Sequence, residues 1–412
     1  MPPIRWLSAL GAVAALASSA KAEPLSFSQA LDLAAAHAPS LRASALQVDA
    51  ARAASRAAGA LPDPRLSLGV DNFPVSGPVA GRFGPDSMTM ARVGASQEVP
   101  NPARRRAQVA GAGAQIGVAE AQARVEARKV RLATALAWID LAYAERRLAA
   151  LDQLVGGLKG LWEGQPASIA AGSARPASAL GPVQMRARFE DMRSELVAGV
   201  AKARADLSRW TADPAPAAVG EAAAFEVDEF ALRAGLDRTP ALAAFQPAQR
   251  LADAGIASAQ AAKRSDWSWE ASYGRRDPMF GDMVSAGVSV SLPLFSSSRQ
   301  DPIIAAREID ANRVRAERED ARRALVAALE ADLADHLMHH AQWGRAVAVL
   351  VPAAEQRAHL ETASYAAGRA DFSDLMDALT GLADARLTAL EREAMVARDG
   401  ARIVLTYGSD DQ

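Results

Sequence analysis

Two groups of side chains in this 412-residue chain have the type and spacing to do chemistry. Asp374 and Asp377 stand three residues apart in Gly368-Arg369-Ala370-Asp371-Phe372-Ser373-Asp374-Leu375-Met376-Asp377-Ala378, with Asp371 a further three residues upstream. On a helix that spacing puts the carboxylates on one face. Such a face attracts cations, and it is equally the acidic start that a helix dipole favours. His336 and His340 are four apart, beside His339, Asp332 and Asp335. Two imidazoles at that spacing can share one metal ion. No Glu follows His336, so the zinc-protease motif is incomplete, and a polar helix surface accounts for the cluster equally well. His37 and His359 are isolated and read as structural or exposed. In Gly111-Ala112-Gly113-Ala114-Gln115-Ile116-Gly117 the third glycine comes one place late for a dinucleotide loop. Its small residues suit close helix packing instead. No Ser/His/Asp or Cys/His arrangement is evident, so neither an enzyme nor a cofactor is expected.

Composition narrows the setting. Lys plus Arg is 46 against 48 acids, a net charge of −2. That near balance argues against a nucleic-acid binder, which carries a basic excess. The absence of cysteine excludes disulfides, thiolate metal sites and a lipid-modified cysteine. Aromatics are only 5% while hydrophobics reach 50%, much of it alanine, a mixture suited to long, closely packed helices. Residues 1–22 read as an export signal: Arg5, an apolar Leu7 to Ala17, then Ala20-Lys21-Ala22 as the small-x-small cleavage pattern. Cleavage there removes Arg5 and Lys21 and makes the balance more acidic by two charges. No later stretch reaches the ~18 apolar residues of a membrane helix, so any membrane span must be a β-barrel.

The elements that position these residues come in two similar halves, 23–211 and 239–412, joined by a linker over 212–238. Pro39-Ser40-Leu41-Arg42-Ala43 recurs as Pro240-Ala241-Leu242-Ala243-Ala244. Gly94 to Pro100 is echoed by Gly287 to Pro293, and Ala171-Gly172-Ser173-Ala174 by Ala367-Gly368-Arg369-Ala370. The landmarks keep their order at an offset of roughly 200 residues, the mark of a duplication. Each half predicts a helix, a strand pair, and a long helical hairpin. The run from Ala103 to Leu161 has no proline and would extend roughly 88 Å as a helix. The second half repeats it from Ile303 to about Val351. Return helices are expected over roughly Ala177 to Trp210 and Asp371 to Thr406.

The strand pairs, about 65–99 and 266–292, alternate. Trp267, Trp269, Ala271 and Tyr273 interleave with Ser268, Glu270 and Ser272; Val284, Ala286, Val288, Val290 and Leu292 interleave with Ser285, Gly287, Ser289 and Ser291. One face is apolar and the other small and polar, as in a transmembrane barrel strand; a soluble half-buried hairpin has the same period. Leu66, Leu68 and Val70 alternate similarly, and Met88 to Val99 imperfectly. Four strands cannot close a membrane barrel, since the smallest single-chain barrels have eight. Several chains must share one: three give twelve strands, four give sixteen.

In this arrangement the chain resembles the TolC-type outer membrane efflux proteins over nearly its whole mature length. The resemblance rests on the helix around Leu31 and Pro39-Ser40-Leu41, on Ala60-Leu61-Pro62-Asp63-Pro64, on Gln97-Glu98-Val99-Pro100, on Val290-Ser291-Leu292-Pro293, and on the paired hairpin turns. It implies an α+β membrane protein: a trimer sharing a twelve-stranded barrel that continues into a periplasmic α-helical barrel. Gln97 to Pro100 followed by Arg104-Arg105-Arg106 looks most like the cobalt–zinc–cadmium and copper–silver branch. The resemblance implies an exit duct of a tripartite efflux system, working with a periplasmic adaptor and an inner-membrane proton-driven pump of the resistance–nodulation–division type. Type I protein secretion shares the fold, and a soluble coiled-coil scaffold is the remaining alternative. By the same resemblance Asp374 and Asp377, with Asp371 as an extra acid, match the acidic ring of the periplasmic entrance. Gly172, Ser173, Gly368 and Arg369 fall at the tips that dock on an adaptor. Many relatives are anchored through a lipidated cysteine; this chain has none, so the barrel alone must hold it.

Overall fold

The computed structural model describes residues 24–83, 86–158, 180–221 and 224–408. The expected export signal and the expected first hairpin tip, with Gly172 and Ser173, lie outside them. In chain order the elements are β1 (Pro24–Leu25), α1 (Phe27–His37), α2 (Pro39–Ser55), β2 (Arg65–Asp71), β3 (Met90–Val99), α3 (Pro102–Gly157), α4 (Leu180–Thr211), β4 (Ala217–Ala218), α5 (Glu229–Gly235), α6 (Pro240–Ala243), α7 (Phe245–Ala261), β5 (Trp267–Arg275), β6 (Met283–Val290), α8 (Ser296–Arg345), α9 (Val351–Ala366) and α10 (Phe372–Tyr407). No described helix is long and apolar enough to cross a membrane.

Prolines set several boundaries. Pro39 and Pro240 open α2 and α6, where the missing N–H costs nothing. The second long helix departs from expectation. It begins at Ser296 rather than Ile303 and carries Pro302 inside. Pro302 falls in the second turn, so only one early backbone bond is lost. Nor does the helical run stop near Val351. A five-residue π turn, Ala346–Leu350, links α8 to α9 just before Pro352. The wider turn relieves the clash a proline ring makes with the carbonyl four residues back.

The chain forms two compact units, and each draws on both sequence halves. One comprises the described parts of 38–132, 225–337 and 399–412. Its centrepiece is a four-stranded antiparallel sheet of order β2-β3-β5-β6. The register lines up one side chain per strand across each row. Leu68, Val93, Tyr273 and Val284 form one row; Leu66, Ala95, Ala271 and Ala286 the next. Val99, Trp267 and Val290 end that face. The opposite face carries Ser67, Gly94, Ser272 and Ser285, then Arg65, Ser96, Glu270 and Gly287. The apolar face is bare in the protomer: Leu66 is 72% exposed, Leu68 77% and Val284 78%. Small residues seat the helices below the sheet. A side-chain carbon on Gly117 would meet Pro247 at 3.2 Å, and one on Gly111 would meet Ala254 at 3.7 Å. A second cluster, Leu232, Leu236, Leu329, Leu333, Ile403 and Tyr407, forms the unit's apolar core.

The other unit comprises the described parts of 1–37, 133–224 and 338–398. β1 pairs in parallel with β4, closing the linker onto the segment before α1. Trp138 is fully buried, donates from its indole nitrogen to Leu25 O at 2.9 Å, and meets Phe27 edge-on at 5.4 Å. Leu151, Leu154, Met185, Phe189, Phe372, Leu375 and Leu379 pack as one core.

Candidate functional site

Two places gather candidate functional side chains, one in each unit. The first lies where the strands meet the helices. Asn101 caps α3: its Oδ1 accepts from the Arg104 backbone at 2.9 Å, with Pro102 opening the helix. Its Nδ2 donates to Ala261 O at 3.1 Å, Arg264 O at 3.3 Å and Asp266 Oδ1 at 2.8 Å. The Asn101 backbone N–H reaches Asp266 Oδ1 at 2.7 Å, and Arg104 reaches Asp266 Oδ2 at 2.9 Å. Ser291 completes the joint, its Oγ accepting from the Asp266 N–H at 2.8 Å. Both strand pairs are thereby tied at one point. Partial burial raises the Asp266 pKa, but the Asn101 amides and the Arg104 guanidinium outweigh it and hold the carboxyl below its usual range.

Arg104, Arg105 and Arg106 are all exposed at this joint, and each has a partner. Arg104 pairs with Asp266, Arg105 donates to Gly59 O at 2.7 Å, and Arg106 donates to Pro102 O at 3.3 Å. Sequence reasoning missed the joint because its members lie some 165 residues apart. The available signal was Asn101-Pro102, a cap followed by a first-turn proline.

The second place is the turn between α9 and α10. Gly368 adopts φ +70°. Its N–H bonds Tyr365 O at 3.0 Å and the Arg369 N–H bonds Ser364 O at 2.9 Å, the double bond of a Schellman cap. The backbone angle, not space, demands glycine, since a side-chain carbon there would touch no described atom within 4 Å. Gly368 and Arg369 are exposed at the turn. α10 then starts with Asp374 accepting from the Asp371 backbone N–H at 3.4 Å. Asp371, Asp374 and Asp377 are all exposed, while Phe372, Leu375 and Leu379 on the other face enter the core. The three carboxylates thus share one outward face and form no ion pair with a described residue. Tyr365 meets Phe372 edge-on at 5.6 Å and fixes the turn against that core.

The histidine cluster is less convergent. His336 and His340 lie on one helix, α8. His340 meets Trp343 edge-on at 5.6 Å, and Asp332 accepts instead from the Tyr407 hydroxyl at 2.7 Å. Among the described residues no group of three or more His, Asp or Glu is gathered as a metal ion requires.

Residues 30–198 match the family model described as outer membrane efflux protein. No curated protein matches the chain significantly. Several solved structures share its fold. A membrane protein from Pseudomonas aeruginosa superposes with TM-score 0.79 at 17% identity, covering 94% of this chain and 91% of its own. CusC, described as a transmembrane channel, gives 0.79 at 15%, covering 93% and 92%. The outer membrane protein VceC of Vibrio cholerae gives 0.75 at 16%, covering 94% and 97%. Residues 30–198 are thus similar to the outer membrane efflux protein family, and the chain shares its fold with solved outer membrane proteins.

Proposed function

We propose that the protein is the outer membrane channel of a tripartite efflux system and passes heavy-metal cations outward as a homotrimer. One observation carries the reading: a four-stranded sheet with one mainly apolar, exposed face and two edges, β2 and β6, that pair with nothing among the described residues. Open strand edges are not tolerated in hydrocarbon, where each unmet backbone group costs several kcal/mol. Copies joined edge to edge remove every edge, and three copies make the twelve strands that the family resemblance implies. The polar face, with Ser67, Ser272, Ser285 and Glu270, then lines the lumen.

In this account energy comes from an inner-membrane pump of the resistance–nodulation–division type, and the channel is passive. The exposed Gly368–Arg369 turn offers a rigid tip for a periplasmic adaptor; Gly172 and Ser173, beyond the described residues, are its counterpart in the first half. Asp371, Asp374 and Asp377, repeated threefold, put a ring of carboxylates at the entrance, and such rings favour cations. His336 and His340 are the remaining candidate metal contacts. Deleting the gene should make cells sensitive to heavy-metal salts, and a plasmid copy should restore growth. Unchanged metal resistance together with loss of one exported protein would point to type I secretion.

A further inference from the structure

We propose that a groove between the start of α3 and the end of α7 holds the phosphate headgroup of an anionic phospholipid. The inference rests on the barrel reading above. The groove encloses about 380 Å³. Its walls include Ala103, Ala107, Ala257 and Ala261, and its polar lining is Arg106, Arg264 and Gln260. No acid lines it.

The groove sits where a lipid headgroup would be. Val99, Trp267 and Val290 form the last row of the apolar sheet face, and Arg264 is three residues before Trp267. Interfacial tryptophans mark the headgroup level. Sidedness follows from the joint. Asp266 has the parity of Ser268 and Glu270, so it belongs to the polar face, and Arg104 reaches it from that side. Arg106 is two residues further on, roughly 200° around the helix. It therefore occupies the opposite flank of α3, below the apolar face.

The chemistry fits a phosphate diester with a hydrocarbon tail. Two guanidiniums match phosphate oxygens as planar donor forks. Arg106 spends its Nε on Pro102 O, which orients the group and leaves its terminal nitrogens for an anion. Gln260 adds a neutral donor. The alanine walls accept the glycerol and the first methylenes, which free phosphate would leave unfilled.

The trimer in neutral detergent is titrated with phosphatidylglycerol or phosphatidylcholine of equal chain length, and bound lipid is counted by native mass spectrometry. Inorganic phosphate is the competing arm. The wild type should prefer phosphatidylglycerol by roughly tenfold, from two basic groups near one phosphate. Arg106→Gln with Arg264→Gln should remove the preference, Arg264→Gln alone should reduce it, and Arg299→Gln, outside the groove, should leave it intact. Equal binding of the two lipids, or an unchanged preference in the double variant, overturns the proposal. Displacement by phosphate at the same concentration reassigns the groove to a free anion and overturns it too. Insertion into vesicles is scored separately: a protein that never inserts refutes the barrel, whereas one that inserts without headgroup preference refutes only this site.

Discussion

The sheet and the α9–α10 turn handle polar groups in opposite ways. At the sheet base every polar atom of Asn101 and Asp266 has a partner, and the residues are partly or fully buried. At the turn, Asp371, Asp374 and Asp377 stand in solvent with one weak capping contact among them. The sheet base is built to hold a geometry, and the turn displays charge on a rigid support. Substitutions should therefore cost stability at the first place and function at the second.

The largest effect is expected on the apolar face. Leu68→Lys puts a charge where the account places hydrocarbon and should cost about 2–4 kcal/mol per protomer. Ser285→Lys, on the polar face, should be tolerated. The readout is the heat-modifiable trimer fraction in isolated membranes. If both variants assemble equally, the two faces do not differ in environment.

Next comes the joint. Asn101→Ala removes the α3 cap and three side-chain donations, and should cost about 2 kcal/mol in thermal unfolding of the trimer. Asn101→Asp keeps the cap acceptor but sets a second carboxylate against Asp266, and should be no better. pH gives an independent reading. The folded Asp266 pKa lies below its ordinary 3.8, so its contribution is complete above 3.8 and is lost as pH falls through the lower folded value. Acid-induced loosening that is identical in Asp266→Asn would count against that role.

At the turn the stability effects shrink while functional effects grow. Gly368→Val forces a branched side chain to φ +70° and should cost about 1–2 kcal/mol locally. Trimer yield should hold while efflux fails. Full resistance in this variant argues against adaptor docking at the tip. The smallest thermodynamic change, about 0.5 kcal/mol or less, is expected for Asp374→Ala with Asp377→Ala, both exposed. In planar bilayers the pair should lower cation selectivity and weaken block by multivalent cations from the periplasmic side.

The sequence made some of this legible and hid the rest for physical reasons. Strict alternation in Trp267 to Tyr273 and in Met283 to Val290 disclosed the second hairpin, because a strand's side-chain period is two. β3 looked irregular for a local reason. Gln97 falls on the apolar side, where its amide donates to Pro62 O at 2.6 Å at the base of the sheet. Gly111 and Gly117 were readable as close-packing positions. Pro302 misled, because a proline near a helix start is as compatible with continuation as with a stop. The Asn101–Asp266 joint and the β1–β4 pairing join residues remote in sequence, which no local pattern announces.

The central claim is that one chain carries only part of a barrel and that copies complete it. The direct test is the mass of the protein extracted from membranes in mild detergent, measured by light scattering with the detergent contribution subtracted. The account predicts three chains of 43.1 kDa less the cleaved signal, with mixed helical and strand circular dichroism. A stable monomer that stays soluble without detergent would contradict it.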